Sequence, residues 1–253
     1  MLPAGDSVND ERGCSLFISD LHLAEDRPAM AGLFLRFLAD TAASATNLFI
    51  LGDLFEFWVG DDTLDEPLNR DVADALSRLA DAGTSISFMH GNRDFLAAEG
   101  FVAATRSRLL ADPALLSLHG VRTLLMHGDT LCTDDHDYQR FRAHVHDPAI
   151  QRQFLALPLA ARRQQVGQAR ARSEQQKQLK SAQIMDVAQA AVAAAFRSSG
   201  YPPRLIHGHT HRPARHELVV DGHRCERWVL ADWYREGEYL RVDADGVTRH
   251  PLR

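Results

Sequence analysis

The stretch LFILGD at residues 48–53 places a short apolar run directly before a glycine and an aspartate. Four other apolar runs are also followed at once by polar residues: SLFI at 15–18 by SDLH, SISFM at 85–89 by HGNRD, RTLLM at 122–126 by HGD, and RLI at 204–206 by HGHTH. Short runs of this kind, alternating with helical patterns, predict a layered α/β fold. Because such folds gather their chemistry at the carboxyl ends of strands, we expect the five polar loops to converge.

The segments between and after these runs carry helical and hairpin patterns. Apolar residues recur at 3.6-residue spacing over 28–40 and again over 67–82, which predicts two connecting helices. The runs HELVV and RWVLA flank the turn signal of Asp221 and Gly222, which predicts a hairpin. Further strands are expected around 239–242 and 247–249, so the chain should close in antiparallel β-structure.

The stretch from about 138 to 196 differs in composition. It is rich in Ala, Gln and Arg, has almost no β-branched runs, and contains Pro148 and Pro158 as breakers. We predict a helical insertion at 138–199, within a domain of residues 14–253 that follows an extension of residues 1–13. Residues 140–180 carry a net charge of +7 in a chain of −6, which indicates either a solvated helical surface or one that faces anions or a membrane.

Length, composition and cysteine content limit the classes of protein to which this chain can belong. With 253 residues and 45% hydrophobic content, the chain can bury a sizeable core. Its three cysteines, Cys14, Cys132 and Cys225, form no CxxC pair and suit a reducing cytosol. The sequence shows neither a secretory signal nor an apolar run long enough to cross a bilayer. We therefore expect a soluble or peripheral protein.

Seven side chains with nitrogen or oxygen donor atoms lie just beyond the predicted strands. Each alone has a structural explanation, because a strand-end Asp often caps a helix, an Asn often makes a turn, and a single His is usually only hydrogen-bonded. As an ordered set without thiolates, they indicate Mn, Fe or Zn in a hydrolytic site rather than a structural zinc site. The seven are Asp20, His22, Asp53, Asn92, His127, His209 and His211.

The motifs DxH, GD, GN, HGD and GHTH that contain these residues resemble those of the calcineurin-like metallophosphoesterases, over nearly the whole chain. The resemblance implies two mixed β-sheets flanked by helices, with the insertion as a lid. It also implies two divalent metal ions per chain, typically Mn²⁺, which acidify a shared water. Asp20, His22 and His211 would hold one ion, Asn92, His127 and His209 the other, and Asp53 would bridge both. The expected catalytic residues are Asp53, Asn92, Arg93 and His127.

Arg93 is a departure from many members of that family, which have His directly after the GN asparagine. A histidine there can protonate an alkoxide leaving group. Arginine stays protonated and cannot act as a general acid, but its fork fits phosphate oxygens. A leaving group of low pKa is therefore favoured, such as a phosphate monoester whose second pKa is about 6. We predict pyrophosphate cleavage.

Longer strings, such as ILGDLFEFWVGDD, LMHGDTLCTDD and LIHGHTHRP, resemble the family of UDP-2,3-diacylglucosamine diphosphatases of lipid A biosynthesis. This resemblance implies attack at the α-phosphorus of UDP-2,3-diacylglucosamine, giving UMP and 2,3-diacylglucosamine 1-phosphate. It further implies a peripheral enzyme on the cytoplasmic side of the inner membrane. By the same resemblance, the substrate contacts are Asn92, Arg93, Asp135, Ser173, Lys177, Lys180 and His209.

Alternatives to several of these roles stay open. Residues 173, 177 and 180 share one helical face, but Lys177 and Lys180 could serve helix solubility alone, and Lys177 stands where some relatives have an amide. Asp135 could simply cap a helix that begins at His136. The apolar run at 154–159 suits an acyl-chain cleft or plain packing. Nearby arginines suit an anionic membrane surface, at about 1 kcal/mol each.

Two other functional classes are also compatible with the sequence. One is a related phosphoesterase that acts on a non-lipid nucleotide diphosphate or a phosphodiester. The other is a metal-dependent scaffold without turnover, against which the complete set of seven donors argues. We expect neither a nucleic-acid partner nor an obligate protein partner.

Overall fold

The five apolar runs form the central strands of two mixed β-sheets in the computed structural model, which describes residues 13–179 and 186–252. The first sheet has the order β11-β10-β1-β2-β3-β4, in which β1 to β4 are parallel and β10 and β11 are antiparallel to their neighbours. Its strands are β1 Ser15–Ile18, β2 Asn47–Leu51, β3 Ser85–Met89, β4 Arg108–Leu110, β10 Gly237–Asp243 and β11 Gly246–Leu252. Strands β1 and β2 are buried throughout, as parallel strands covered on both faces are.

The second sheet has the order β5-β6-β7-β9-β8, with β6, β7 and β9 parallel and the outer strands antiparallel. Its strands are β5 Ala114–Leu118, β6 Val121–Met126, β7 Arg204–His207, β8 Ala214–Val220 and β9 His223–Val229. The predicted hairpin is confirmed, since β8 and β9 pair across Asp221 and Gly222, both with positive φ. Strands β4 and β5 were not predicted.

The core between the sheets follows from the alternation of side chains along each strand. Phe17 and Phe49 are register partners that point between the sheets, where their rings stack with centroids 4.6 Å apart. They pack with Leu125 and Ile206 of the second sheet. Burying a side chain of this kind contributes about 1.5–3 kcal/mol, so this layer is a major source of the stability that joins the two sheets.

Helices cover the outer faces of both sheets. On the first sheet lie α1 Pro28–Arg36, continued by a π-turn Phe37–Thr41, α2 Pro67–Asp81 and α3 Glu99–Thr105. Helix α2 begins at a proline, which suits the first helical position, and buries Val72, Leu76 and Leu79 on one face. On the second sheet α7 Gln189–Ser198 buries Val192 and Phe196. Two mixed sheets with flanking helices are the fold class that the sequence predicted, which is confirmed.

Three further helices, α4 His136–Val145, α5 Pro148–Leu155 and α6 Leu159–Leu179, form a segment that we call the lid. Asp135 caps α4 by accepting a hydrogen bond from Tyr138 N at 3.0 Å, so the predicted N-cap is confirmed. The predicted insertion at 138–199 covers most of this segment and also α7, which packs on the second sheet. Among the helices of the described residues, none has the length and apolarity that crossing a membrane requires.

Candidate metal centre

The loops that follow β1, β2, β3, β6 and β7 meet at one edge of the sandwich. Backbone hydrogen bonds join neighbouring loops: Asp20 N donates to Gly52 O at 3.1 Å, His22 N to Asp53 O at 2.9 Å, and Gly208 N to His127 O at 2.8 Å. Carboxyl ends of parallel strands lie at the same edge, which is why segments far apart in the sequence meet here. The structure thereby brings all seven predicted donors together.

The backbone at this edge is in a conformation that non-glycine residues rarely adopt. Five of the seven donors have a positive φ: Asp20 at 56°, His22 at 49°, Asp53 at 53°, His209 at 68° and His211 at 53°. Each such residue costs of the order of 1–3 kcal/mol and persists only when the surrounding fold imposes it. The surrounding fold therefore imposes this conformation on five of the seven donors.

Three of the donors converge on one point. His22 Nε2 and His211 Nε2 lie 3.3 Å apart, and Asp20 Oδ1 lies 3.3 Å from His211 Nε2 and 4.0 Å from His22 Nε2. Imidazole ligands lie about 2.0–2.1 Å from a divalent cation such as Zn²⁺, so two ligands of one ion are spaced as these are. Asp20, His22 and His211 therefore fit a single divalent cation.

Asp53 lies between that group and the remaining donors. Its Oδ2 is 3.8 Å from His22 Nε2, and its Oδ1 is 3.8 Å from His127 Nε2. On the far side, Asn92 Oδ1 lies 3.1 Å from His127 Nε2 and 2.9 Å from His209 Nδ1. One carboxylate oxygen thus faces each group, which is the placement that a bridging ligand needs.

Burial and charge leave three of the donors, His22, His209 and Asp20, in the protonation states that bind a cation. Burial lowers the pKa of His22 to about 2 and that of His209 to about 4, so both rings stay neutral and keep a lone pair. Burial acts to raise the pKa of Asp20, but the hydrogen bond and charge of His211 hold it below its ordinary value. Asp20 is therefore ionised, and carboxylate with neutral imidazole is the form in which these groups bind metals.

Asp53 Oδ1 and His127 Nε2 lie 3.8 Å apart, and the charge of each affects the pKa of the other. Burial raises the pKa of Asp53 to about 7. Burial acts to lower the pKa of His127, but the charges of Asp53, Asp129 and Asp20 raise it to about 9. A concentration of buried acidic charge that draws a proton onto a buried imidazole is a place where a divalent cation substitutes for that proton.

Neighbouring groups orient these ligands. His127 Nδ1 donates to Leu51 O at 2.8 Å, which leaves Nε2 directed at the centre. Asp94, fully buried, accepts from Gly91 N at 2.8 Å and Leu54 N at 2.7 Å and so fixes the loops that carry Asp53 and Asn92. The sequence interpretation gave Asp94 no role, although it is the last residue of HGNRD and its position in that motif was a usable signal.

The glycines of the GN and GHTH motifs are required because donor carboxylates lie too close to them to leave room for a side chain. A Cβ on Gly91 would lie 2.1 Å from Asp53 Oδ1, and one on Gly208 would lie 2.3 Å from Asp20 Oδ2. Both distances are far inside van der Waals contact, so any side chain there would displace a donor carboxylate. These glycines keep the centre compact.

A cavity of about 1130 Å³ lies between the centre and the lid. At its polar end are His22, Asp53, Asn92, Arg93 and His209. The lid also contributes polar side chains, such as Arg142, His144 and Gln151. The apolar part of the lining comes largely from the lid and from the loops after β2 and β3, and consists of Phe57, Trp58, Phe95, Leu96, Phe141, Val145, Ile150, Phe154, Leu157 and Val166. A ligand with a charged head and an apolar tail suits such a space. Phe154 and Leu157 belong to the run for which an apolar cleft was predicted.

The predicted substrate contacts fall into two sets. Asn92, Arg93, Asp135 and His209 line the cavity. Ser173 and Lys177 are four residues apart on α6, and Lys180 lies outside the described residues. The roles assigned to all seven contacts, and the division of the donors between two ions, stay predictions.

The structure also places residues at the cavity that the sequence interpretation passed over. Tyr234 stacks on the His22 ring with centroids 5.2 Å apart, and burial raises its pKa to about 12. Tyr138 donates to Asp129 Oδ2 at 2.6 Å, while its ring lies beside His209. Glu56 is buried next to His22. A usable signal for Glu56 was its position as a lone acid inside the apolar string LFEFWV.

The sequence over residues 15–213 matches the family described as calcineurin-like phosphoesterase. The chain is 54% identical over 232 residues to a protein of Aromatoleum aromaticum named UDP-2,3-diacylglucosamine hydrolase, with 92% of this chain and 94% of that protein covered. Two proteins of the same name, from Xanthomonas axonopodis pv. citri and Stenotrophomonas maltophilia, are each 51% identical, with 94% and 92% of this chain and 98% and 96% of theirs covered.

Proposed function

Because the chain belongs to the calcineurin-like phosphoesterase family, we propose that it hydrolyses the diphosphate of UDP-2,3-diacylglucosamine, giving UMP and 2,3-diacylglucosamine 1-phosphate in lipid A biosynthesis. The observation that carries the proposal is a cavity of about 1130 Å³ whose lining includes both the ionic donors of the centre and a group of apolar side chains. A diphosphate with a nucleoside and an acylated sugar has the same division of polarity. The relatives' shared name identifies that chemistry.

The donor set supports a pair of divalent cations, and Mn²⁺ suits its oxygen and imidazole ligands. Asp20, His22 and His211 would hold one ion, Asn92, His127 and His209 the other, with Asp53 shared. When bound, such a pair lowers the pKa of a water and neutralises charge on the phosphoryl oxygens. Water should attack the α-phosphorus, with the lipid phosphate as the leaving group.

The chain's own residues then position the diphosphate. Arg93 N donates to Asp53 Oδ1 at 2.8 Å, which fixes its backbone at the centre, and its guanidinium is 16% exposed and faces the cavity. A guanidinium donates two parallel hydrogen bonds to phosphate oxygens and carries a permanent positive charge. Arg93 would therefore hold the diphosphate without supplying a proton, which suits a phosphate leaving group that does not need one.

The lid would receive the acyl chains and face the membrane. Phe141 of α4, which also lines the cavity, is 50% exposed and Leu155 of α5 is 39% exposed, so each of these helices has one large exposed apolar side chain. Arg140 and Arg152 lie on the same two helices, and basic residues are attracted to anionic headgroups. These features support peripheral attachment at the cytoplasmic side of the inner membrane. Flotation with anionic vesicles, but not with zwitterionic ones, is the expected result.

Release of UMP from UDP-2,3-diacylglucosamine tests the proposal. We expect turnover with added Mn²⁺, its loss in chelator, and its return when Mn²⁺ is restored. UDP-N-acetylglucosamine serves as the control, because it shares the nucleotide diphosphate and lacks both long acyl chains. Equal kcat/KM for the two substrates would support a non-lipid phosphoesterase instead, and metal binding without any turnover would support a scaffold.

A further inference from the structure

Glu56 lies behind the centre, 3% exposed, with basic groups around both of its oxygens. Its Oε2 is 3.1 Å from Arg27 Nη2 and 3.4 Å from His22 Nδ1. Its Oε1 is 3.3 Å from Arg170 Nη2 and 3.9 Å from Arg93 Nη1. One carboxylate thus contacts three arginines and a donor of the candidate metal centre.

The three arginines come from three separate parts of the fold. Arg27 precedes α1, Arg93 follows β3, and Arg170 belongs to α6 of the lid. Like charges held this close repel one another, and a buried carboxylate between them turns that repulsion into attraction. Glu56 is therefore the group that allows the lid's Arg170 to lie next to Arg93.

The same carboxylate bears on the metal centre. Glu56 Oε2 lies 3.4 Å from Nδ1 of His22, whose Nε2 points towards Asp20 and His211. The two groups are close neighbours without a well-aligned hydrogen bond between them. Glu56 contacts both the donors and the cationic side of the cavity without belonging to the seven.

We propose that Glu56 is a positioning residue that couples the lid to the reaction centre, by holding Arg170 and Arg93 on the side of the cavity that receives the diphosphate. The proposal rests on the proposed function, because it assigns the arginine pair to that substrate. The side chain of Arg170 is the more exposed of the pair, at 44% against 16% for Arg93. Entry of a diphosphate would give both guanidinium groups a second anion to contact.

The test compares Glu56→Gln, which keeps the shape and removes the charge, with Glu56→Asp, which keeps the charge. Glu66→Gln is the matched control, because Glu66 also pairs with an arginine of α6, Arg163, but does so on the outer surface. We expect Glu56→Gln to lower kcat/KM for the lipid substrate roughly tenfold or more, as loss of a charge-assisted contact does. Glu56→Asp should recover part of the loss, and Glu66→Gln should match wild type.

A double variant distinguishes a positioning role of Glu56 from a general structural effect, because only the positioning role predicts that the two losses of activity do not add. If Glu56 acts through Arg170, then Glu56→Gln combined with Arg170→Met should lose no more activity than the more damaging single change. Multiplied losses would overturn the coupling, as would equal kinetics for Glu56→Gln and wild type.

Binding of UDP to the Mn²⁺-loaded protein, measured by calorimetry, keeps the two proposals distinguishable. Weaker UDP binding in Glu56→Gln but not in Glu66→Gln would support the inference, and unchanged binding would overturn it. Wild-type protein that binds UDP yet releases no UMP from the lipid substrate would count against the proposed function and not against the role of Glu56.

Discussion

Asp53 has one carboxylate oxygen towards His22 and the other towards His127, so both groups of donors depend on it. We predict that Asp53→Ala abolishes UMP release and the binding of at least one metal ion, because its two carboxylate oxygens face the two groups of donors. Metal content and turnover, measured on the same sample, check this. Asp74→Ala, at an exposed position of α2, is the control. Near-normal turnover with two ions bound would contradict a bimetallic centre.

Arg93 should contribute to catalysis through its positive charge and its ability to donate two hydrogen bonds to the diphosphate. We predict that Arg93→His lowers kcat/KM for UDP-2,3-diacylglucosamine ten- to hundredfold, because a charge-assisted contact to the diphosphate contributes about 1.5–3 kcal/mol. Alkyl phosphate esters should lose less or gain, since their poor leaving groups benefit from an added acid. Both substrates should be measured across pH on wild type and variant. Unchanged diphosphate cleavage would leave Arg93 without the assigned role.

The start of α6 is attached to the loop after β2 through Arg162, which is 4% exposed. Its Nη1 donates to Val59 O at 2.6 Å and to Asp62 Oδ1 at 2.9 Å, while Nη2 donates to Asp62 Oδ2. Gly60, with φ +133°, permits this approach, because a Cβ there would lie 2.5 Å from Arg162 Nη1. The segment WVGDD at residues 58–62 therefore anchors the start of α6, and with it this part of the lid.

We predict that Arg162→Met loosens the lid and leaves the metal centre intact. The KM for the acylated substrate should rise several-fold, because buried Val59 O and the lid end lose a hydrogen-bonded partner. Limited proteolysis should cut between residues 156 and 179 sooner than in wild type, with metal content unchanged. Arg163→Met, which removes the more exposed pair with Glu66, is the control and should behave as wild type. Equal proteolysis of the two variants would contradict the anchoring role.

At the scale of the whole molecule, the direction of attack depends on how the substrate lies in the cavity. With the lipid moiety in the apolar part and the nucleotide at the donors, water should add to the α-phosphorus and expel the lipid phosphate. Hydrolysis in ¹⁸O-enriched water should therefore place the label in UMP, as read by mass spectrometry of both products. Label in 2,3-diacylglucosamine 1-phosphate would reverse the assignment while leaving the fold and the donor set as they are.

The elements that were predicted correctly are those whose sequence pattern lies within one short stretch of the chain. The strand Ser15–Ile18 was predicted at its observed bounds, because an apolar run of four residues followed by SDLH marks both ends. Strand β4 was missed because it has three residues, two of them exposed. The helix predicted over 28–40 ends its α-helical part at Arg36, and a π-turn follows. A 3.6-residue period does not distinguish those two conformations at a helix end.

The sequence by itself determined the layered α/β fold class, the order of the seven donors and the presence of Arg93 after the GN asparagine, because each is contained in short strings whose period and residue types carry local meaning. The two mixed sheets were implied by the family resemblance of those strings. Only the tertiary structure decided that Asp53 faces both groups of donors, that Glu56 joins three arginines, and that α7 packs on the second sheet while α4 to α6 line the cavity. The physical reason is that periodicity reports which face of an element is buried. Which distant element covers that face is set by chain-wide packing of the two sheets, and the loops meet only after that packing forms.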